Sequence, residues 1–131
     1  MKFEIERVSA ALFLYSALLS AAWADIPLKD ASEIQGSWVL VSVAPGLDRP
    51  KIEENRIWEF RANGVAFTSG FNRHLGQNDT REFKYAVVEG KIKAEDPGRP
   101  GKTLEYSVYE KTGDSMILKG GIEGVYFFKK K

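Results

Sequence analysis

The sequence predicts an all-β domain, an eight-stranded antiparallel up-and-down barrel with a short helical turn closing one end. Three observations lead to this prediction. From residue 25 onward, short runs rich in Val, Ile, Phe, Tyr and Trp recur about every ten residues, separated by turn residues. No stretch in this part of the chain is long, apolar and helix-periodic. Every connection between the runs is short enough for consecutive strands to pair.

The apolar runs predict strands at 36–43, 55–61, 65–69, 80–88, 91–95, 103–109, 115–119 and 125–130. Tight turns with residues that tolerate positive φ occur at Asn63-Gly64, Glu89-Gly90 and Thr112-Gly113-Asp114. Because such turns join antiparallel neighbours, we expect the strands to form hairpins in chain order.

The two ends of the predicted barrel differ in their connections. One end collects the longer loops 44–54, 70–79, 96–102 and 120–124, whereas the tight turns share the other end. The segment 28–35, with Asp30 or Ser32 as its N-cap, predicts one or two helical turns that cover the tight-turn end. The result is a cup-shaped barrel. A β-sandwich is the alternative, but it usually needs long Greek-key crossovers, and here all connections are short.

The first 24 residues predict a secretory signal peptide. A short charged segment, 1–7, precedes the apolar run 8–19, which is shorter than the roughly 20 residues that span a bilayer. The small–x–small sequence Ala22-Trp23-Ala24 predicts cleavage after Ala24, and an uncleaved anchor is the alternative. We therefore expect a periplasmic or secreted protein with one domain, residues 25–131, that meets a membrane only through its leader.

The composition argues against several classes of function. The formal net charge of +1 provides no general attraction to nucleic acid or to an anionic membrane. With no cysteine and a single histidine, His74, the chain lacks the usual ligands of a transition metal, so we expect no metal site and no cofactor. No motif joins His74 to a serine nucleophile, and we expect no enzyme activity.

Alternation within the strands directs aromatic side chains into the barrel, although Arg56 interrupts this inward set at one strand end. The inward set consists of Trp58, Phe60, Phe67, Phe83, Tyr85 and Tyr106. An eight-stranded barrel is wide enough either to hold one small ligand or to be filled by its own side chains. These aromatics therefore either line a pocket for an apolar or amphipathic molecule or form a solid core, and the sequence leaves both open.

Several short motifs resemble those of a known group of proteins. A helical turn leads into Gly36-Ser37-Trp38, the motif Trp58-Glu59-Phe60 follows, and the last strand is aromatic and basic. Together they resemble the small bacterial lipocalin-like domains of the calycin group. The chain is shorter than full-length lipocalins, lacks their disulfides and their C-terminal helix, and has lysine where many of them have arginine.

The resemblance implies a specific barrel floor. Gly36 would let the chain enter the floor closely, and Trp38 would close it. A basic side chain of the last strand, Lys129 or Lys130, would lie over the Trp38 ring in a cation–π contact. The resemblance also implies that the barrel binds a small molecule.

The long loops at the open end are the expected functional region, because loops on a rigid scaffold commonly carry function. Arg73 and His74 lie in the loop 70–79, where we predict ligand gating or partner binding. The leading prediction is a binding protein for a small apolar or amphipathic molecule. If the core is solid, the alternative is a protein-interaction module, such as a periplasmic inhibitor or immunity protein, that binds its partner through loops 44–54 and 70–79.

Overall fold

The eight strands close into a single antiparallel barrel in which each strand pairs with the next and the last pairs with the first. A computed structural model describes residues 25–131. The strands are β1 Gly36–Ala44, β2 Ile52–Phe60, β3 Val65–Asn72, β4 Gln77–Val88, β5 Lys91–Glu95, β6 Thr103–Lys111, β7 Ser115–Gly120 and β8 Gly124–Lys130. The predicted up-and-down barrel is confirmed, and the sandwich is excluded. The predicted leader, residues 1–24, lies outside the described residues.

Strands β2, β3 and β4 extend further toward the loop-rich end than the sequence predicts. The pairing of β3 with β4 continues to Asn72 and Gln77, so the predicted loop 70–79 is a long hairpin with a short turn at 73–76. The predicted loop 44–54 is likewise reduced to the connection 45–51. The extensions are mostly polar, and their two large apolar residues, Ile52 and Phe71, are exposed. They therefore lack the apolar alternation that marks a strand in the sequence, although their backbone groups still pair.

The N-terminal segment covers the tight-turn end of the barrel, as predicted. Its 3-10 turn, Ala31–Glu33, is capped by Asp30, whose side chain accepts a hydrogen bond from the Ser32 N–H at 2.8 Å. Leu28 and Ile34 are buried in the core, and Leu28 N–H donates to the carbonyl of Gly90 in the β4–β5 turn at 3.0 Å. No helix within residues 25–131 is long and apolar enough to span a membrane.

Trp38 lies at the junction between this segment and the barrel. Its ring is 1% exposed, and Nε1 donates to the carbonyl of Ile34 at 2.9 Å. The ammonium of Lys130 lies 4.5 Å from the Trp38 ring centroid and donates to the Gln35 carbonyl at 3.1 Å. Gly36 has a φ of 114°, a conformation that L side chains rarely adopt.

Of the two lysines predicted for this floor, Lys129 is the wrong one, because Lys130 occupies the position over Trp38. Lys130 pairs with Trp38 across β1 and β8 and falls on the same face of its strand as Phe128 and Tyr126. Lys129 alternates to the outer face and is exposed. Lys129 and Lys130 are one residue apart, and a shift of one residue along a strand moves a side chain to the opposite face.

The lower half of the barrel, next to the floor, is filled by aromatic rings. Trp58 makes edge-to-face or tilted contacts with the rings of Phe60 and Phe128, at centroid distances of 6.1 and 5.2 Å. Phe60 in turn packs edge-to-face against Tyr85 at 5.1 Å. All four of these rings are buried. This half of the interior is therefore a solid core.

The prediction that Phe67 points into the barrel is wrong. On β3 the inward residues are Ala66 and Thr68, and Phe67 lies on the outer face, where the Arg61 guanidinium covers its ring at 4.1 Å. Ala66 pairs with Phe60 on one side and with Phe83 on the other, so a small residue faces inward where two rings flank it.

We predict that Trp38→Ala lowers the free energy of unfolding by about 3–5 kcal/mol, because it leaves a cavity in the floor and removes a buried hydrogen bond. Phe67→Ala is the matched control, since it removes a ring from the outer face and should cost about 1 kcal/mol or less. Urea denaturation of the three proteins measures the difference. Equal losses in the two variants would contradict the assignment of Trp38 to the floor.

Candidate ligand cavity

The upper half of the barrel contains a cavity of about 260 Å³ that opens among the loops. Its apolar wall is formed by Leu40, Val43, Trp58, Phe83, Leu104, Tyr106 and Tyr126. Trp58 separates the cavity from the solid core below it, because its ring contacts Phe60 on the floor side and Tyr106 on the cavity side. The interior is therefore packed in the floor half of the barrel and hollow in the mouth half, and ligand binding in the hollow half stays a prediction.

The structure divides the predicted pocket aromatics into three groups. Trp58, Phe83 and Tyr106 line the cavity. Phe60 and Tyr85 are buried below it, and the Tyr85 hydroxyl donates to the carbonyl of Arg61. Phe67 lies outside. Alternation alone selects the inward face of a strand, but it does not tell at which height along the barrel axis the packed core ends.

Two tyrosines hold the β7–β8 turn against the cavity. The Tyr126 hydroxyl accepts hydrogen bonds from the backbone N–H groups of Ile122 and Glu123, both at 3.1 Å. A Cβ at Gly121 would lie 2.5 Å from the Tyr106 ring, so the turn needs glycine at this point. Burial raises the pKa of both Tyr106 and Tyr126, and their hydroxyls therefore stay protonated.

A buried arginine, Arg56, points into the barrel from β2, one position above Trp58 on the same face. Its Nε donates to Thr68 Oγ1 at 3.0 Å, and its Nη1 donates to the Gly70 carbonyl at 2.8 Å and to Asp79 Oδ1 at 2.8 Å. The side chain is 10% exposed. The charge is tolerated inside the barrel because a carboxylate and two neutral oxygens accept hydrogen bonds from the guanidinium N–H groups.

Asp79 on β4 joins this arginine to a second one. Its Oδ2 accepts hydrogen bonds from Asn72 Nδ2 at 3.0 Å and from Arg81 Nε at 2.9 Å. The hydrogen bond from Asn72, followed by those from Arg81 and Arg56, lowers the pKa of Asp79 to about 2, against the opposing effect of burial. We call Arg56, Asp79 and Arg81 the arginine wall. In the sequence, Arg56 was recognisable only as an interruption of the inward aromatic set. Its partner Asp79 could not be predicted, because their contact depends on the register of the strands.

A second charged group crosses the opening of the cavity. Arg73 Nε donates to Glu54 Oε2 at 2.8 Å, and its Nη2 lies 2.9 Å from Glu123 Oε1 in an ion pair whose N–H does not point at the oxygen. His74 Nε2 lies 2.8 Å from Glu123 Oε2. Both predicted mouth residues, Arg73 and His74, line the cavity. We call Glu54, Arg73, His74 and Glu123 the mouth bridge.

The mouth bridge joins opposite sides of the barrel. Arg73 lies in the β3–β4 turn and Glu123 in the β7–β8 turn, and four strands separate these turns in either direction around the ring. A direct ion pair between them therefore requires one or both turns to fold over the opening. The bridge closes the side next to β1 and β2, where the Glu54 side chain is only 7% exposed.

The opposite side of the mouth lies between β4 and the β5–β6 loop. Arg81 is 32% exposed there and faces Gly98. Asp96 supports the loop by accepting hydrogen bonds from Gly98 N–H at 2.9 Å and from Arg99 Nε at 2.7 Å. Burial would raise the pKa of Asp96, but these hydrogen bonds lower it, so the carboxylate stays charged at neutral pH.

We predict that Asp79→Asn lowers the free energy of unfolding by about 2–3 kcal/mol at neutral pH, because it leaves the buried guanidinium of Arg56 without its counter-charge. The folded-state pKa of Asp79 lies below its ordinary value of 3.8, so its stabilising effect is present above that value and is lost as the pH falls toward about 2. Urea denaturation at several pH values measures both effects. Asp114→Asn, on the exposed β6–β7 turn, is the control. If the free energy of unfolding depended on pH in the same way in Asp79→Asn and in Asp114→Asn, this role of Asp79 would be contradicted.

Comparisons with known proteins support the fold. No protein-family model matches the chain, and no curated protein matches its sequence. The crystal structure of a lipocalin-like protein from Bacteroides uniformis ATCC 8492 is similar, with a TM-score of 0.57 and 18% sequence identity over 76% of this chain and 99% of that chain. Together with the closed barrel of eight antiparallel strands, this similarity shows that the chain has a lipocalin-like fold.

Proposed function

We propose that this protein binds a compact amphipathic molecule in the cavity at the loop-rich end of its barrel. The observation that carries the proposal is a cavity with an aromatic base and a few fixed polar groups on its wall. Small-molecule sites commonly have this composition, with apolar surface supplying affinity and a few polar groups supplying orientation. The lipocalin-like fold supports the same interpretation as an analogy.

The size of the cavity limits the ligand. Its volume of about 260 Å³ is below the roughly 300–1,000 Å³ of ordinary ligand pockets. Two apolar residues on the rim, Leu75 and Ile122, also line the cavity and are 52% and 63% exposed. A ligand slightly larger than the cavity would cover them. We therefore assign the site to molecules about as large as one or two fused aromatic rings.

The shifted pKa values of four groups at the cavity favour a binding role for these groups over a catalytic one. A general acid or base works best when its pKa lies near the operating pH. The lining tyrosines have raised pKa values, whereas the carboxylates of Asp79 and Asp96 have lowered ones, so these groups are held away from neutrality. The predicted signal peptide at 1–24 supports a periplasmic or secreted location.

Docking of a protein partner at the loop-rich end is the second candidate function. The observation that favours it is the exposure of apolar side chains at this end, with Leu47 at 41%, Ile52 at 46% and Ile122 at 63%. Protein interfaces commonly bury such residues at their centre. In this case the protein would act as an inhibitor or immunity protein toward an exported partner, and the cavity would have no ligand.

Native mass spectrometry of the protein purified from its own compartment distinguishes the two candidates. We expect a co-purifying small molecule, released on denaturation. A protein complex of fixed stoichiometry with no small molecule would favour the second candidate. In parallel, calorimetric titration with naphthylethanol, a neutral probe of suitable size, should show binding at one site per chain, and no heat of binding at any concentration would count against the proposal.

We predict that Glu123→Gln raises the dissociation rate of naphthylethanol several-fold, because it removes the ion pairs that hold the two turns across the mouth. Arg73 keeps its partner Glu54, so no buried charge is left unpaired, and the stability should change by less than about 1 kcal/mol. Glu53→Gln, an exposed neighbour on β2, is the control. Stopped-flow displacement measures the rates, and equal rates in both variants would show that the mouth bridge does not gate the cavity.

A further inference from the structure

The arginine wall carries more positive than negative charge. Arg56 and Arg81 lie on either side of one carboxylate, Asp79, and the remaining acceptors are neutral: a hydroxyl and a carbonyl for Arg56. Two guanidinium groups and one carboxylate leave a net charge of about +1 at this wall. Arg56, Arg81 and Thr68 all line the cavity.

Both arginines retain N–H groups without a partner. Arg56 donates through Nε and Nη1, and among residues 25–131 no hydrogen bond involves its Nη2. Arg81 donates through Nε to Asp79, and within the same part of the chain neither of its Nη groups has a hydrogen-bond partner. A guanidinium has five N–H donors in a fixed planar fork that matches a carboxylate.

The other charged groups around the cavity have partners of their own. Asp96 pairs with Arg99 on the β5–β6 loop, and the nearby charge of Arg81 also lowers the pKa of Asp96. Because Asp96 and Arg99 carry opposite charges, counting both leaves the net charge of the arginine wall at about +1. Glu95 lines the rim of the cavity at the end of β5, but it belongs to the outward-facing set of that strand, and its carboxylate accepts a hydrogen bond from the Lys84 backbone N–H. The carboxylates of the mouth bridge share Arg73 and His74 on the opposite side of the opening. The opening is therefore electrically asymmetric, with its positive side at the arginine wall.

Strand register places this wall next to the aromatic base of the cavity. Trp58 on β2 pairs with Thr68 on β3, and Thr68 pairs with Arg81 on β4. Directly opposed side chains on one face of an antiparallel pair have Cβ atoms about 4.5–5.5 Å apart. Phe83 follows Arg81 two residues along the same face of β4. A planar apolar body on these rings would bring a short polar head within reach of the guanidinium groups.

We infer that the cavity selects compact apolar molecules that carry one carboxylate, with the carboxylate bound at Arg56 and Arg81 and the apolar body against Trp58 and Phe83. This inference rests on the proposed function and names its ligand class. A single carboxylate neutralises the wall and accepts from the unpartnered N–H groups. An alcohol of the same shape satisfies fewer of them, and an ammonium group is repelled.

Calorimetric titration with three matched probes tests the inference: naphthylacetate, naphthylethanol and naphthylethylammonium share an apolar body and differ in the head group. We expect the wild-type protein to bind the carboxylate about tenfold or more tightly than the alcohol, and the ammonium most weakly. In Arg81→Gln the carboxylate should lose most of its advantage and the alcohol much less affinity, so that the two bind within about twofold of each other.

Two further variants separate this role from a general effect of charge. Lys102→Gln removes one positive charge from the neighbouring β5–β6 loop, where Lys102 forms no ion pair within residues 25–131, and it should keep the full preference. Arg81→Lys keeps the charge but loses the fork, so its preference should be intermediate. Thermal denaturation checks that each variant is folded, and the head-group comparison in the wild-type protein needs no variant.

The outcomes distinguish this inference from the proposed function. Equal binding of naphthylacetate and naphthylethanol by the wild-type protein, or a preference that survives in Arg81→Gln, would overturn the carboxylate site while leaving small-molecule binding intact. If none of the three probes binds, both proposals fail. A preference for the ammonium probe would place the ligand head on the side of the mouth bridge instead.

Discussion

The packing of Trp58 determines how the interior of the barrel is divided. Its ring lies between Phe60 and Phe128 on the floor side and Phe83, Tyr106 and Tyr126 on the mouth side, and these rings meet at edge-to-face or tilted angles. Such packing fills the width of a small barrel with few side chains. The floor half is then solid, whereas the mouth half, where inward positions carry Arg56 and Thr68, stays hollow. The depth of the cavity thus follows from one aromatic position on β2.

Charged groups appear inside the barrel immediately above this aromatic layer. Burying Arg56 and Asp79 removes both from water, and the ion pair between them at 2.8 Å, with hydrogen bonds to Thr68 and the Gly70 carbonyl, offsets that cost. A pair of apolar residues would fill the same space with no desolvation to offset. The arrangement leaves oriented N–H donors on the wall of the cavity, and the proposed carboxylate site depends on these donors.

The fold was predictable from the sequence because it depends on local patterns. The strand β5 was predicted at 91–95, and the glycine turns fixed the order of the hairpins. The errors arose where a prediction depended on which face of the strand a single side chain occupies. Phe67 lies on the outer face, and Lys130 rather than Lys129 covers Trp38. The arginine wall and the mouth bridge were not predictable as units. Arg56 and Asp79 are 23 residues apart, and His74 and Glu123 are 49 apart, so their contacts depend on strand register and on closure of the ring.

The two ends of the barrel are held by different kinds of interaction, and this difference favours the mouth as the entrance for the proposed ligand. The floor is closed by local contacts. Trp38 donates a hydrogen bond to the carbonyl of Ile34, four residues away, and both side chains are buried. Opening the floor would expose core surface, at a cost of several kcal/mol. One side of the mouth is bridged by ion pairs, and those of Glu123 with Arg73 and His74 are partly exposed, so salt weakens them. Thermal fluctuations can therefore separate Arg73 and Glu123 while the floor and the aromatic core stay packed. Such local opening of the mouth, without unfolding of the barrel, is what the proposed reversible binding requires.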